Sequence, residues 1–309
     1  MSPSSGRSET GRNVTLTIIT LVALALAVYI VFRAVTGWVG EVFHSATVKE
    51  EAPEETVEVV KPEPRTPPLP IDGFDASLII SDEQFFDTAA YDQAQVESFI
   101  AKWNDGCRTG SDGAPCLSEY REDTPSFEGD VYCPDGFTGE TGDTAASVIW
   151  KSAQSCGINP QVLLTILQKE QGLITSSGAG LNETRYAIAM GYACPDASMC
   201  DPEYFGFAPQ VYYAARQMRV YEFYPNDFMV GVQRGDYVPY APNPDCGGTP
   251  LYVQNLATSN LYNYTPYQPD SAALAGDPGP CSSVGNLNFY AYFTAWFGTS
   301  EVARESAGG

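Results

Sequence analysis

The chain has 309 residues, 44% of them hydrophobic, which is enough for at least one well-packed domain. Its 16 basic residues stand against 38 acidic ones, a formal net charge of −22. A surface of that sign repels nucleic acid phosphates and anionic lipid headgroups, so no nucleic acid partner is expected.

Residues 14–32, VTLTIITLVALALAVYIVF, carry no charge. At ~1.5 Å per residue the run spans roughly the ~30 Å core of a bilayer. The GWVGEVFHSATVKE stretch after it offers no convincing small-residue cleavage site. The run therefore predicts a single-pass membrane helix over 13–35, with a retained signal peptide as the alternative. Arg7 and Arg12 precede it with Glu9, and Arg33 follows its uncharged core, so charge favours a cytoplasmic 1–12 only weakly. The cysteines orient it better. All eight (Cys107, Cys116, Cys133, Cys156, Cys194, Cys200, Cys246, Cys281) follow the run. An even number without CxxC pairs predicts disulfides in an oxidising compartment, which places the C-terminal part outside the cell membrane. A zinc site is the competing reading, but tight ligand spacing is absent and the only histidine, His44, lies beside the run. No metal is expected. Cys194 with Cys200 is the favoured local pair.

Residues 36–72 contain KEEAPEETVEVVKPEPRTPPLP, an acidic, proline-rich linker that cannot bury a core. A folded domain is expected over 73–299 and a loose tail over 300–309. Asp92 and Gln95 form a capping-box start that leads into Val96, Phe99, Ile100 and Trp103 at helical spacing. A second helix is predicted over 144–155, ended by Gly157. A third is GINPQVLLTILQKEQG, with Asn159 as cap, Pro160 in the first turn and Gly172 past the end. A fourth runs over about 208–224, with Pro225 as its stop, and a fifth over 287–297. The domain is therefore predicted to be mainly α, with long disulfide-stapled loops, and with 73–135 as an accessory segment.

Histidine usage excludes much chemistry. With His44 alone, the domain has no Ser-His-Asp or Cys-His centre and no multi-histidine zinc site. No phosphate loop or dinucleotide fingerprint is present, so no cofactor is expected. Carboxylates and tyrosines remain for acid–base work. In the third helix Leu163, Ile166 and Leu167 form an apolar stripe whose next position is Glu170. A carboxyl group partly withdrawn from water tends to keep its proton, the state a general acid needs. Glycosidic cleavage is the reaction that most often uses a shielded Glu this way. A last-turn glutamate that merely pairs with a neighbouring Lys is the plain structural alternative. The tyrosines and phenylalanines of 186–292 suit stacking on sugar rings as well as ordinary packing. Asn182 and Asn263 begin Asn-X-Thr glycosylation patterns.

INPQVLLTILQKEQG resembles the catalytic-Glu helix of lytic transglycosylases and goose-type lysozymes, with Gln171 where that superfamily usually has Ser. GFAPQV at 206–211 resembles its GLMQ motif, with Pro209 extra, and LYNYTPY at 261–267 resembles its cleft-lining Tyr-Asn segment. The resemblance implies a lysozyme-like fold, Glu170 as the catalytic acid, and Gly206, Phe207, Gln210, Asn263 and Tyr264 as substrate-binding residues. For a hydrolase, Glu183, Asp196, Asp201 or Glu203 would be the second carboxylate. IISDEQFF, QVESFIAKWNDGC, MGYACPDASMCD and GNLNFYAYFTAWFG also resemble an actinobacterial surface family, sometimes described as haemagglutinin-like. The implied partners are peptidoglycan glycan strands and, through 13–35, the membrane. The rival expectations are a non-catalytic glycan-binding or adhesion protein on the same scaffold, and a structural partner of wall-building machinery.

Overall fold

Asp92 and Gln95 do form a reciprocal capping box, with Gln95 N–H donating to Asp92 Oδ1 at 2.8 Å and Asp92 N–H to Gln95 Oε1 at 2.9 Å. This comes from a computed structural model that describes residues 71–196 and 198–298. The tail 1–12, the membrane span 13–35, nearly all of the linker and the tail 300–309 lie outside the described residues. Among the described residues no helix is long and apolar enough to cross a membrane.

Helices dominate. In chain order they are α1 (Asp82–Phe85), α2 (Gln93–Trp103), α3 (Ala145–Cys156), α4 (Pro160–Gln171), α5 (Glu183–Ala187), α6 (Phe207–Phe223), α7 (Leu256–Tyr264), α8 (Ser271–Leu274) and α9 (Gly285–Phe297). Two small antiparallel sheets accompany them. β1 (Arg121–Glu122) pairs with β2 (Asp143–Thr144), and β3 (Asp236–Pro239) pairs with β4 (Gly248–Leu251), with Asp236 opposite Leu251 and Pro239 opposite Gly248.

The five long helices fall where the sequence puts them, because each carries its own end signals. Thr144 caps α3 and Gly157, at φ 67°, ends it. Asn159 caps α4 and also ties it to α1, donating from Nδ2 to the Gln84 carbonyl at 2.7 Å. α6 begins differently. Gly206 has no side chain to cap it, and Glu122 of β1 supplies the acceptor, 2.8 Å from Ala208 N–H. Pro209 therefore sits in the first turn, where its missing N–H leaves no bond unmade. Burial pushes the Glu122 carboxyl above its ordinary pKa, outweighing the hydrogen bonds from Ala208 and Tyr120.

α4 runs through the core. Val162, Leu163, Leu164, Ile166 and Leu167 are all fully buried, so the helix is apolar around most of its circumference rather than along one stripe. It packs on α3 and α9, and α3 packs on α2 and α6. Residues 73–135 contribute to the main core. Ile79, Ile80, Phe85, Val96, Ile100 and Leu117 belong to the same core as α4, because their apolar faces have no other surface to cover them. The first residues of the domain lie along α7 and α9. Tyr290 donates to the Asp72 carbonyl at 2.9 Å, Gln254 N–H to the Ser77 carbonyl at 2.8 Å, and Ile79 N–H to Thr258 Oγ1 at 3.0 Å.

All eight cysteines are paired: Cys107–Cys116, Cys133–Cys156, Cys194–Cys200 and Cys246–Cys281. The disulfide reading and its favoured local pair both hold. Among the described residues no group of His, Cys, Asp and Glu is arranged to hold a metal.

One buried ion pair ties a titratable group to the fold. Lys151 Nζ lies 2.9 Å from Asp143 Oδ2, and the Asp143 side chain is 1% exposed. Burial raises the Asp143 pKa, but hydrogen bonds from Lys151, Ser147 and Thr124 and the Lys151 charge outweigh it, so the group ends below its ordinary value. A depressed carboxyl contributes stability above its unfolded value, and loses it as pH falls through the folded one. Chemical denaturation should show stability dropping below pH 3.8, the ordinary aspartate value. Asp143→Asn should flatten that drop, and an unchanged slope would assign the acid sensitivity to other groups.

Candidate active site

The apolar length of α4 ends at Gln168, and its last turn brings Lys169, Glu170 and Gln171 to the edge of the core. Gly172, at φ 65°, turns the chain away. Arg185 of α5 donates to the Gln171 carbonyl, which sets a cation at the helix C-terminus where the dipole favours one. Glu170 is 25% exposed and Lys169 only 3%, with Lys169 Nζ 2.9 Å from Glu170 Oε1. The same ammonium donates to Thr265 Oγ1 at 2.6 Å and lies 5.6 Å from the Tyr264 ring centroid.

The other carboxylate oxygen faces a glycine. A Cβ on Gly191 would stand 2.9 Å from Glu170 Oε2, and Gly191 has φ +69°. The left-handed backbone favours glycine here, and a Cβ would push the Glu170 carboxylate from its place. Two residues on, Ala193 also has a positive φ, 55°, which is uncommon for a residue with a side chain.

Gln210 holds this loop rather than a ligand. Its side chain is fully buried. Oε1 accepts from Met190 N–H at 3.2 Å and Tyr192 N–H at 3.0 Å, while Nε2 donates to the Tyr192 and Tyr204 carbonyls at 3.0 and 2.9 Å. Its amide is bonded to backbone throughout, three of the four bonds falling on Met190 and Tyr192 to either side of Gly191. Tyr264 adds a third tie, donating to the Met190 carbonyl at 2.8 Å. Burial, with Glu170 nearby, pushes the Tyr264 hydroxyl well above its ordinary pKa, so it stays a donor.

The other expected binding residues are also placed. Phe207 is fully buried, its ring 5.1 Å from Tyr120 and 6.0 Å from Tyr186. Gly206 N–H donates to the Ala187 carbonyl at 3.0 Å. Asn263 spends its amide on Val230, with Nδ2 2.8 Å from the carbonyl and Oδ1 2.9 Å from N–H. Phe207 and Gln210 are buried and the Asn263 amide is bonded to Val230, so in this structure each braces backbone or core. Tyr264 is the member of the set that adjoins Glu170.

Of the four candidate second carboxylates, Asp196 is the one bonded to the 265–267 segment that Lys169 also holds. Asp196 accepts the hydroxyl of Tyr267, and Tyr267 is two residues from Thr265, which Lys169 holds. Burial and the Asp196 contact push the Tyr267 phenol up to about 12. Asp201 caps a short turn through Glu203 N–H at 3.0 Å. Glu203 and Glu183 are exposed, and Glu183 N–H is held by Asp112 Oδ2 at 2.8 Å. The result is a closed circuit: Glu170, Lys169, Thr265, Tyr267, Asp196, then back along the chain to Gly191. Sequence reading named pairing with a neighbouring Lys as the structural alternative for Glu170, which Lys169 makes, and missed Gly191, Thr265, Tyr267 and Arg185. Only Lys169, adjacent to Glu170, carried a local signal.

Compared with known proteins, the chain matches no family model, no curated protein and no solved structure.

Replacing Gln210 by Leu leaves the Met190 and Tyr192 N–H groups buried and unpaired. It should lower stability by ~1–3 kcal/mol per orphaned group, measured by chemical denaturation. Gly191→Ala should cost ~1–2 kcal/mol for the left-handed backbone alone. It should also displace the Glu170 carboxylate, visible as a changed carboxylate chemical shift by NMR.

Proposed function

We propose that the protein is a membrane-anchored enzyme that cleaves the β-1,4 glycosidic bonds of peptidoglycan, with Glu170 as its general acid and base. The observation that carries this reading is the setting of Glu170: a single carboxylate at the exposed end of a core helix, with Oε1 held by Lys169 and Oε2 against bare Gly191. A positioned carboxyl group that reaches solvent can give a proton to a leaving oxygen when it is protonated, and can recover one from water afterwards. The motif order of Glu170, then Gln210, then Asn263–Tyr264 supports a lysozyme-like arrangement. In this chain the last two motifs support the Glu170 loop from behind. The uncharged run at 14–32 and the four disulfides support anchoring at 13–35 with the domain outside the cell.

Glu170 protonates the glycosidic oxygen and then takes a proton back. In a lytic transglycosylase the substrate's own acetamido group stabilises the cation and an anhydro ring closes, without a second carboxylate. In a hydrolase Asp196 is the carboxylate best placed to hold the water, being tied through Tyr267 to the segment that holds Lys169. The glycan-binding reading has one observation in its favour. The Lys169 ion pair already satisfies Glu170, as it would in a purely structural role.

Purified full-length protein incubated with peptidoglycan should release soluble fragments. Mass spectrometry would give anhydro-muropeptides from a transglycosylase and reducing-end sugars from a hydrolase. Glu170→Gln should reduce release by at least ~10²-fold while the thermal unfolding midpoint stays within a few degrees. Undiminished release by that variant would remove Glu170 from the chemistry, and binding without release would select the glycan-binding reading.

A further inference from the structure

An open cavity of about 380 Å³ is lined by Pro239, Pro242, Pro244 and Pro266, with Tyr237, Tyr267 and Met229. Bonds behind it hold it open. Gln268 is buried and donates from Nε2 to the Val238 carbonyl at 2.7 Å and to Thr249 Oγ1 at 3.0 Å, locking β3 and β4 onto the 265–268 segment. Asn286 of α9 donates to the Thr265 and Tyr267 carbonyls at 3.0 and 3.2 Å. Tyr237 is 56% exposed, and its ring lies on bare backbone: a Cβ on Gly248 would stand 2.9 Å from its Cζ. The cavity is therefore preformed, with a seated aromatic ring at its mouth.

The wall has little hydrogen bonding left to offer. The Pro239 carbonyl already accepts from Gln268 N–H at 3.0 Å, the Pro244 carbonyl from Gly247 N–H at 3.2 Å and the Gly247 carbonyl from Tyr240 N–H at 3.0 Å. Tyr267 spends its N–H on the Thr265 carbonyl, its carbonyl on Asn286 and its hydroxyl on Asp196. The prolines have no N–H. A strand-like peptide or a hydroxyl-rich ligand would leave its own donors without acceptors here. A chain that brings few N–H groups loses nothing. Proline-rich segments in the polyproline II form are of that kind, and grooves lined by aromatic rings receive them.

The protein carries such a segment beside the domain. Residues 61–70, KPEPRTPPLP, lie outside the described residues and are half proline. Two observations favour this segment as the occupant. The first is where the domain begins. Tyr290 donates to the Asp72 carbonyl at 2.9 Å, and Tyr290 is one turn of α9, ~6 Å along its axis, from Asn286, which holds the Tyr267 carbonyl. Positions four apart share a helix face, so the chain enters on the face of α9 that also braces the cavity. Ten residues of polyproline II span ~31 Å, ample for a cavity so placed. The second is charge. Lys61 and Arg65 against Glu63 give the segment a positive balance in a chain of net charge −22. No charged side chain lines the cavity, but exposed carboxylates border it: Asp196 on the Tyr267 hydroxyl, and Asp245 next to Pro244.

We propose that residues 61–70 dock in this cavity as a polyproline II strap, with prolines against Tyr237 and the proline wall and Arg65 toward the bordering carboxylates. The end of the spacer is thereby fastened to the domain it carries. The inference is independent of the role given to Glu170.

The test is limited trypsin digestion of full-length protein, followed by mass spectrometry. The rate of cleavage after Arg65 is divided by the rate after Lys49, in the same spacer but outside the strap. A synthetic peptide of residues 45–75 supplies the ratio for an undocked chain. In the protein the ratio should be at least ~10-fold lower than in the peptide, because a docked segment is cut only when it opens. Tyr237→Ala should return it toward the peptide value, and so should Pro67→Ser combined with Pro68→Ser, which leaves the domain untouched. Tyr237 is exposed, and unchanged cleavage within the domain would separate lost docking from unfolding. A wild-type ratio equal to that of the peptide, or protection that survives Tyr237→Ala, would overturn the proposal. Protection that grows with protein concentration would also overturn it, and would assign the cavity to the spacer of a second copy.

Discussion

The structure depends on burying α4 around most of its circumference. A helix whose middle turns are enclosed can place charge only where it leaves the core, and α4 does so in its last turn, at Lys169 and Glu170. Burial of Lys169 then constrains its surroundings. An ammonium that is 3% exposed needs partners, and it has Glu170 Oε1, Thr265 Oγ1 and the Tyr264 face. Those three partners define the position of α7's end relative to α4. The 191–196 loop adds the remaining side, pressed onto Glu170 by a residue with no side chain.

The site is therefore two-layered. Glu170 is the group that meets solvent, with the buried Lys169 ammonium and Gly191 on either side of its carboxylate. Gln210, Tyr264 and Arg185 form the layer behind it, each committed to backbone groups, while Asn263 ties α7 to Val230. Support of this kind restricts the loop without touching a ligand, and it is how a fixed geometry is kept at a half-exposed carboxylate. Support reaches further through Glu122, which caps the helix that carries Gln210.

Much of this was legible in the residues. The ends of α4 were readable because Asn159, Pro160 and Gly172 act within a few positions of themselves. Glu170 stood out because it broke a local apolar period. α7 was not readable as a helix. Its LATSNLYNY sequence is rich in Thr, Ser and Asn, which have modest helix propensity, and tertiary burial of Ala257, Leu261 and Tyr262 decides it. The β3–β4 hairpin was hidden by Pro239, Gly248 and Pro250, which interrupt any alternation. Gln210 was singled out by motif as a sugar contact, and the structure shows its amide bonded to backbone. A motif specifies a residue and not the direction of its side chain, and here that direction is inward. Gly191 was invisible, since its meaning lies in a contact with a carboxylate 21 positions earlier.

The placement of the disulfides has a mechanical consequence. All four staples lie at or beyond Cys107, so none of them fastens residues 71–106 covalently to the rest. Tension entering the domain through residue 71 would load hydrogen bonds and packing instead: Tyr290 to Asp72, the Phe74 ring on Tyr290, Gln254 to Ser77, Thr258 to Ile79. These ties are strung one after another along the chain, so they would yield in sequence, like a peeled strip, and not all at once. The α4 end with Glu170 lies beyond that strip. Force would strip the leading edge from α7 and α9 before it reached the carboxylate.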